Sequence, residues 1–175
     1  NKLPETQNSL LDIVRITFHR EETEIDKAIY YAECLMEKGY LVCMQPVGTT
    51  SYSDKELLEL IEKINKLKPY AFYLVDTLGI LCRDELLRLI YLIDYNLEEG
   101  IKIGFHSHNN LQMSFANAQL IVEYHTLRDF IIDCSVYGMG RGAGNLCTEL
   151  IAQYTNDMKI SKYEMVPILD ALDDY

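Results

Sequence analysis

Gly104-Phe105-His106-Ser107-His108-Asn109-Asn110 closes a short apolar run that begins at Ile101, and an amphipathic segment opens just after it near Leu111. Read as a strand, the run has a side-chain period of two. That puts His106 and His108 on one side, with Phe105 and Ser107 on the other. Two imidazoles side by side at a strand end form half of a metal site. An H-x-H pair between a strand and a helix is also common by chance, so its weight depends on the rest of the chain.

Working outward, four more runs have strand character: residues 11–18, ending at His19; 41–45, closed by Pro46 and Gly48; 71–75, closed by Asp76-Thr77-Leu78-Gly79; and 130–136, followed by the glycine-rich stretch 138–145. Helical patterns separate them. Residues 21–38 carry Ile25, Ala28, Ile29, Ala32, Leu35 and Met36 on one face, and Gly39 is a stop signal. Ser53 with Glu56 three residues on is a capping box for a helix to about Lys66. Helices are also predicted over 83–96, 111–124 and 146–156. Ser161 with Glu164 is a second capping-box candidate, opening a last helical segment to the chain end. Residues 1–8, polar with one proline, read as a flexible lead-in.

Strands alternate with helices five times, at roughly 30 residues per unit, the size of one βα repeat. Near-continuous apolar strands are what parallel strands covered on both faces look like. The fold class is therefore parallel α/β, and two architectures compete: an open doubly wound sheet, or about five units of a (β/α)8 barrel. Polar residues gather after every strand: His19 and Arg20; Gln45; Asp76 and Thr77; His106 to Asn109; the 138–145 stretch. An open sheet uses chiefly the two loops at its switch point, whereas a barrel uses all of them. Five loaded ends favour the partial barrel.

A formal charge of −11, with no basic cluster, argues against nucleic acid or an anionic membrane as partner. No apolar run approaches membrane length. Five cysteines, odd in number and without C-x-x-C spacing, read as reduced, mostly buried thiols of a cytoplasmic protein. The glycines of 138–144 superficially resemble a dinucleotide loop, but no acidic residue follows about 20 residues on at a strand end.

Three segments in register carry a family resemblance: Phe72-Tyr73-Leu74-Val75-Asp76-Thr77-Leu78-Gly79, Gly104 through Leu111, and Asp133-Cys134-Ser135-Val136-Tyr137-Gly138-Met139-Gly140-Arg141-Gly142-Ala143-Gly144-Asn145. Together they resemble the metal-dependent aldolase and lyase barrels of the hydroxymethylglutaryl-CoA lyase type, most of all the 4-hydroxy-2-oxovalerate aldolase branch. Ala116-Asn117-Ala118 and the stretch 169–174 resemble that branch too. In these families the first barrel strand supplies an aspartate metal ligand with an adjacent arginine. This chain starts at about the fourth strand of the pattern and has neither, so it resembles the carboxyl-terminal part of a longer protein.

The resemblance implies class II aldol chemistry: a divalent cation holds a 2-oxo acid through its keto and carboxylate oxygens and stabilises the enolate left by C–C cleavage. The expected substrate is a small 4-hydroxy-2-oxo acid, cleaved to pyruvate and an aldehyde. His106 and His108 are the expected metal ligands, joined by Asn145, which matches an asparagine of the lyase and synthase branches. Imidazole, carboxylate and water suit Mn2+ best, with Mg2+, Co2+ and Zn2+ as alternatives. Thr77 is expected as a substrate hydrogen-bond donor in the catalytic step, Asp76 and Arg141 as substrate-binding, and His19 as a candidate catalytic base. Each has a plainer reading: a turn or cap for Asp76 and Thr77, solvent for Arg141, a backbone-bonded histidine for His19. His125, near a helix end, reads as solvated or capping.

The expected organisation is a partial barrel over residues 1–157 and a helical segment over 158–175. Two imidazoles without an anionic ligand predict weak cation binding and no turnover by this chain alone. The competing class is a non-catalytic partial barrel that binds a metal or a partner. Five of eight strands leave two open edges, which predicts self-association or association with the rest of the barrel.

Overall fold

The computed structural model describes residues 3–173. Five strands run parallel in one sheet: β1 (Ile13–Phe18), β2 (Leu41–Pro46), β3 (Ala71–Asp76), β4 (Lys102–Ser107) and β5 (Phe130–Ile132). The helices are α1 (Glu22–Glu37), α2 (Asp54–Leu67), α3 (Arg83–Asn96), α4 (Ser114–Glu123), α5 (Thr148–Asp157) and α6 (Met165–Asp173). Spatial order equals chain order, β1-β2-β3-β4-β5. That order decides between the two architectures. A doubly wound sheet reverses at a switch point, so that helices cover both faces. Right-handed crossovers that all step the same way put every helix on one face. This is the winding of a (β/α) barrel, present as five of its units.

The two faces of the sheet differ accordingly. On the outer face Val42, Met44, Phe72, Leu74, Ile103 and Phe105 pack against Leu57, Ile61, Leu86, Ile90 and Ile93 of the helices. Each such aliphatic side chain contributes about 1.5–3 kcal/mol on leaving water, so this layer carries most of the stability. The inner face holds a smaller cluster, Cys43, Ala71, Tyr73 and Val75, with Ile131 against it. Polar groups can therefore sit on the inner face without breaking the main core. β3, in the middle of the sheet, is buried along its whole length.

Local signals fix the units. Ser53 Oγ accepts from the Glu56 N–H at 3.3 Å, and Glu56 Oε2 accepts from the Ser53 N–H at 2.8 Å, so the expected capping box opens α2. Gly39 follows α1 at φ +87°, where a side chain would also press on Thr6 Oγ1 at 2.8 Å.

Several expectations are corrected. Of the lead-in, residues 1 and 2 lie outside the described residues, but Thr6–Asn8 is a 3-10 turn and is tied down. The Thr6 N–H and Oγ1 both donate to Lys38 O, at 2.9 and 2.6 Å, and the Tyr40 hydroxyl donates to Pro4 O. The helix after the histidines starts at Ser114, not 111, because residues 109–113 form a turn. Asn109 Oδ1 accepts from the Ser114 N–H at 3.1 Å, and Gln112 takes a positive φ. The strand expected over 130–136 ends at Ile132. Beyond it Ser135 leaves β4 and exchanges backbone bonds with Leu146 and Thr148. Ser161 does not cap α6: its hydroxyl is bonded to Thr155 Oγ1 and Asn156 Oδ1. Of the cysteines, all free, Cys43 alone is buried; Cys34 and Cys147 are half-buried, Cys82 and Cys134 exposed. Among the described residues no helix is long and apolar enough to cross a membrane. The end of the helical segment, residues 174 and 175, lies outside the described residues.

Candidate active site

The carboxyl ends of the strands build the site, beginning with two loops that interlock. The His108 N–H donates to Asp76 O at 3.1 Å, and the Leu111 N–H to Gly79 O at 2.9 Å. Gly79 has φ +64°, and a side chain there would come within 2.5 Å of Asn110 N and 2.8 Å of His108 O. Only a glycine lets the loop after β3 seat against the histidine loop this closely. His106 and His108 emerge together, their ring centroids 5.4 Å apart and their planes at 81°.

The glycine-rich loop brings Asn145 to the pair. Asn145 and His108 form an isolated antiparallel bridge, and the Asn109 N–H donates to Gly144 O at 3.0 Å. The loop closes on itself through the Asn145 N–H to Gly138 O, 2.8 Å. At Gly140 a side chain would stand 2.5 Å from Asn145 Nδ2, so this glycine leaves the room that the carboxamide fills. Asn145 Nδ2 donates to Met139 O at 2.9 Å, while Oδ1 is buried and has no protein partner. His106 and Asn145 line one cavity of about 310 Å3 with Arg15, Ile132, Asp133 and Cys134.

Beneath the pair lies a polar network absent from the sequence reading. Asp133 Oδ2 stands 3.0 Å from His106 Nδ1. Arg15 donates to both carboxylate oxygens, at 2.6 and 2.8 Å, and the Tyr73 hydroxyl donates to Oδ1 at 3.2 Å. Arg15 also lies over the Tyr73 ring, 4.7 Å from its centroid. Burial pushes the Asp133 carboxyl up, but the His106 hydrogen bond and the Arg15 charge together outweigh it and hold the carboxyl below its ordinary range. Burial, then the Asp133 charge, push the Tyr73 hydroxyl up. The signal that was available is a charge inside an apolar strand: Arg15 between Val14 and Ile16, and Asp133 after Ile132.

The other expected residues are placed as follows. The Asp76 carboxylate is buried and accepts from the Ile80 and Leu81 N–H groups, at 3.2 and 3.0 Å. These two bonds hold the loop that follows β3. Thr77 is half-buried, and its Oγ1 accepts from the Gly48 N–H at 2.8 Å, which leaves the hydroxyl hydrogen free to donate elsewhere. His19 and Arg141 are exposed, His19 with its backbone N–H on Glu24 Oε2. His125 is exposed as well. Neither His19, Thr77 nor Arg141 lines the cavity that holds His106 and Asn145.

Two imidazoles and an orphaned buried amide oxygen are a donor set that suits a borderline divalent cation. Among the described residues no three His, Cys, Asp or Glu side chains cluster as a ligand set by themselves. Asp133, the carboxylate at hand, is engaged by Arg15.

Strand order and site together define a parallel (β/α) barrel of the kind that carries its polar groups on the loops after its strands. The chain belongs to the HMGL-like family, whose model matches residues 12–171. It is 30% identical over 174 residues to the 4-hydroxy-2-oxovalerate aldolase of Bacillus thuringiensis (strain Al Hakam), covering 97% of this chain and 49% of that protein. To the 4-hydroxy-2-oxovalerate aldolase of Geobacillus stearothermophilus it is 33% identical over 143 residues, covering 79% and 39%. The chain thus spans about half the length, or less, of these curated relatives. The HMG-CoA lyase of Bacillus subtilis shares the fold, with a TM-score of 0.75 over 90% of this chain and 60% of that one, at 14% identity.

Proposed function

We propose that this chain is the metal-holding portion of an aldolase or lyase that cleaves a 4-hydroxy-2-oxo acid to pyruvate and an aldehyde. The observation that supports it best is the convergence of His106, His108 and the unpartnered Asn145 Oδ1 at the carboxyl ends of the strands. These three would hold a divalent cation, Mn2+ foremost, with Mg2+, Co2+ or Zn2+ as alternatives. When bound, the cation would act as a Lewis acid on the oxygens of a 2-oxo acid.

The remaining roles fall to this chain's own groups. Thr77, its oxygen already fixed by the Gly48 N–H, can direct its hydroxyl hydrogen to a substrate oxygen. His19, at the end of β1, is exposed and free to take a proton from a substrate hydroxyl. Arg141, exposed on the glycine loop, can meet a substrate carboxylate.

The donor set carries no free carboxylate, and we infer that the chain alone holds the cation weakly and does not turn over. The test is a Mn2+ titration followed by electron paramagnetic resonance, with pyruvate release measured beside it. The expected result is weak binding that His106→Ala, His108→Ala and Asn145→Ala each reduce, with no pyruvate above background. Binding that ignores all three substitutions would overturn the ligand assignment. Turnover on the order of 1 per second or more would overturn the inference of inactivity.

A further inference from the structure

We infer that Asp133, clamped by Arg15 and Tyr73, is a positioning residue that fixes the tautomer and direction of the His106 ring. An unanchored neutral imidazole exchanges its proton between its two nitrogens and rotates about its side-chain torsions. A cation ligand must do neither. A carboxylate accepting from one ring N–H leaves the opposite nitrogen as a bare lone pair aimed away from it. With Asp133 Oδ2 3.0 Å from His106 Nδ1, the nitrogen left bare is Nε2.

The clamp also explains why so much is built under one ring. A lone carboxylate on the inner face would be free to swing; this one is held on both oxygens. Arg15 grips it from β1 with two nitrogens, and the fork geometry of a guanidinium makes that grip directional. The Tyr73 hydroxyl, rising from the middle strand, donates to Oδ1. Tyr73 reaches that point because its register partner in β4 is Gly104. A side chain on Gly104 would overlap the Tyr73 ring outright, so this glycine and the tyrosine hydroxyl act as one device. Four positions on four strands or their ends therefore converge on a single ring, and the bond from Asp133 to His106 is the last link.

The tautomer lock is a property of this chain whether or not a cation binds. Its purpose, presenting Nε2 to a cation, rests on the reading of His106 as a ligand. Long-range proton–nitrogen correlation spectra of the 15N-labelled chain at about pH 8, above the ordinary imidazole range, read the tautomer directly. The expected wild-type spectrum shows His106 protonated on Nδ1, with Nε2 unprotonated. Asp133→Asn is expected to release the lock, shifting the ring toward the Nε2-protonated form that free histidine prefers. Tyr73→Phe keeps the ring packed on Gly104 and removes only the hydroxyl; it is expected to broaden or partly shift the same signals. Asp133→Glu, with a carboxylate to offer, is expected to restore Nδ1 protonation. A wild-type His106 protonated on Nε2, or an Asp133→Asn ring identical to wild type, would overturn the inference. A Zn2+ titration of the same samples separates the two readings. Tenfold to hundredfold weaker binding in Asp133→Asn, the range typical of groups that orient a ligand, is expected if His106 is a ligand. A locked tautomer with no Zn2+ binding in wild type sinks the cation reading and leaves the lock standing.

Discussion

Arg128 Nε lies 2.8 Å from Asp94 Oδ1, and the same guanidinium reaches the carbonyl oxygens of Asp94, Leu97, Glu98 and Ile101. One side chain from the loop before β5 thereby caps the end of α3 and the turn into β4. The pair is largely shielded, at 11% and 13% side-chain exposure. It sits at the amino-terminal ends of the strands, opposite the histidines. Removing it would leave a carboxylate and several carbonyls short of a donor. We expect Arg128→Ala to lower the unfolding free energy by about 3 kcal/mol, read from urea denaturation. Arg128→Lys should recover little, since an ammonium cannot fork to five acceptors. A lysine variant as stable as wild type would show that charge alone suffices.

Gly79 gives the second prediction, because its loop seats directly on the histidine loop. Gly79→Ala would place a methyl group against His108 and Asn110 backbone at a φ that disfavours any side chain. The expected result is a loss of about 2 kcal/mol or more, together with displaced amide resonances for His108 to Leu111. The resonances of residues far from the mouth, such as those of α1, should hold still. Shifts spread evenly over the whole chain would mean that the contact is not local.

How much of this was legible in the sequence follows from the range of each interaction. Period-two and helical patterns are local, and the βα alternation and all five strands follow from them, the fifth over its first three residues only. The histidine pair is local too. The link between Arg15 and Asp133 is not: it joins residues 118 positions apart, and no pattern within either segment announces a partner. What can be read is that a charge inside an apolar run needs one. Asp76 is hard to read for another reason. An aspartate that holds a loop and one that meets a substrate look the same in sequence, and the donors from Ile80 and Leu81 come into view only in the folded chain. Ser161 likewise has a capping pattern, but closer hydroxyl and amide partners take its hydrogen bond.

The capping box of α2 makes a prediction about acid. The Ser53 side-chain and backbone hydrogen bonds hold the Glu56 carboxyl below its ordinary range. A depressed carboxyl stabilises the folded chain fully above its unfolded value, about 4.3, and the contribution fades as pH falls through the lower folded value. We expect Glu56→Gln to shift the urea midpoint downward at pH 6 and to match wild type once both are measured well below pH 4. A difference that stays constant across that window would assign the effect to the hydrogen bonds alone, not to the charge. Titration of the Glu56 carboxyl carbon by nuclear magnetic resonance checks the direction independently.

The last prediction concerns the sheet edges. Among the described strands β1 pairs only with β2, and β5 only with β4, so each presents one unpaired row of backbone groups. Each such group left desolvated and unbonded would cost about 1–3 kcal/mol, so any association that covers these edges must also pair them. The side chains point the same way. Leu11, just before β1, and Ile13, its first residue, are exposed, and behind β5 an apolar hollow of about 540 Å3 opens among Ile121, Phe130, Ile151, Ile160 and Ile168. Neither strand carries a proline, and Arg15, the one charge on β1, is engaged across the inner face by Asp133. Natural edges are protected by such prolines and free charges. We expect light scattering at micromolar concentration to give a mass above that of a monomer. Ile13→Lys, which sets a charge on the β1 edge two residues from Arg15, should shift the population toward monomer without loosening the Arg15–Asp133 contact. A wild-type chain that stays monomeric across that range would sink the idea. A mass unmoved by Ile13→Lys but lowered by Phe130→Lys would assign the contact to the β5 edge instead.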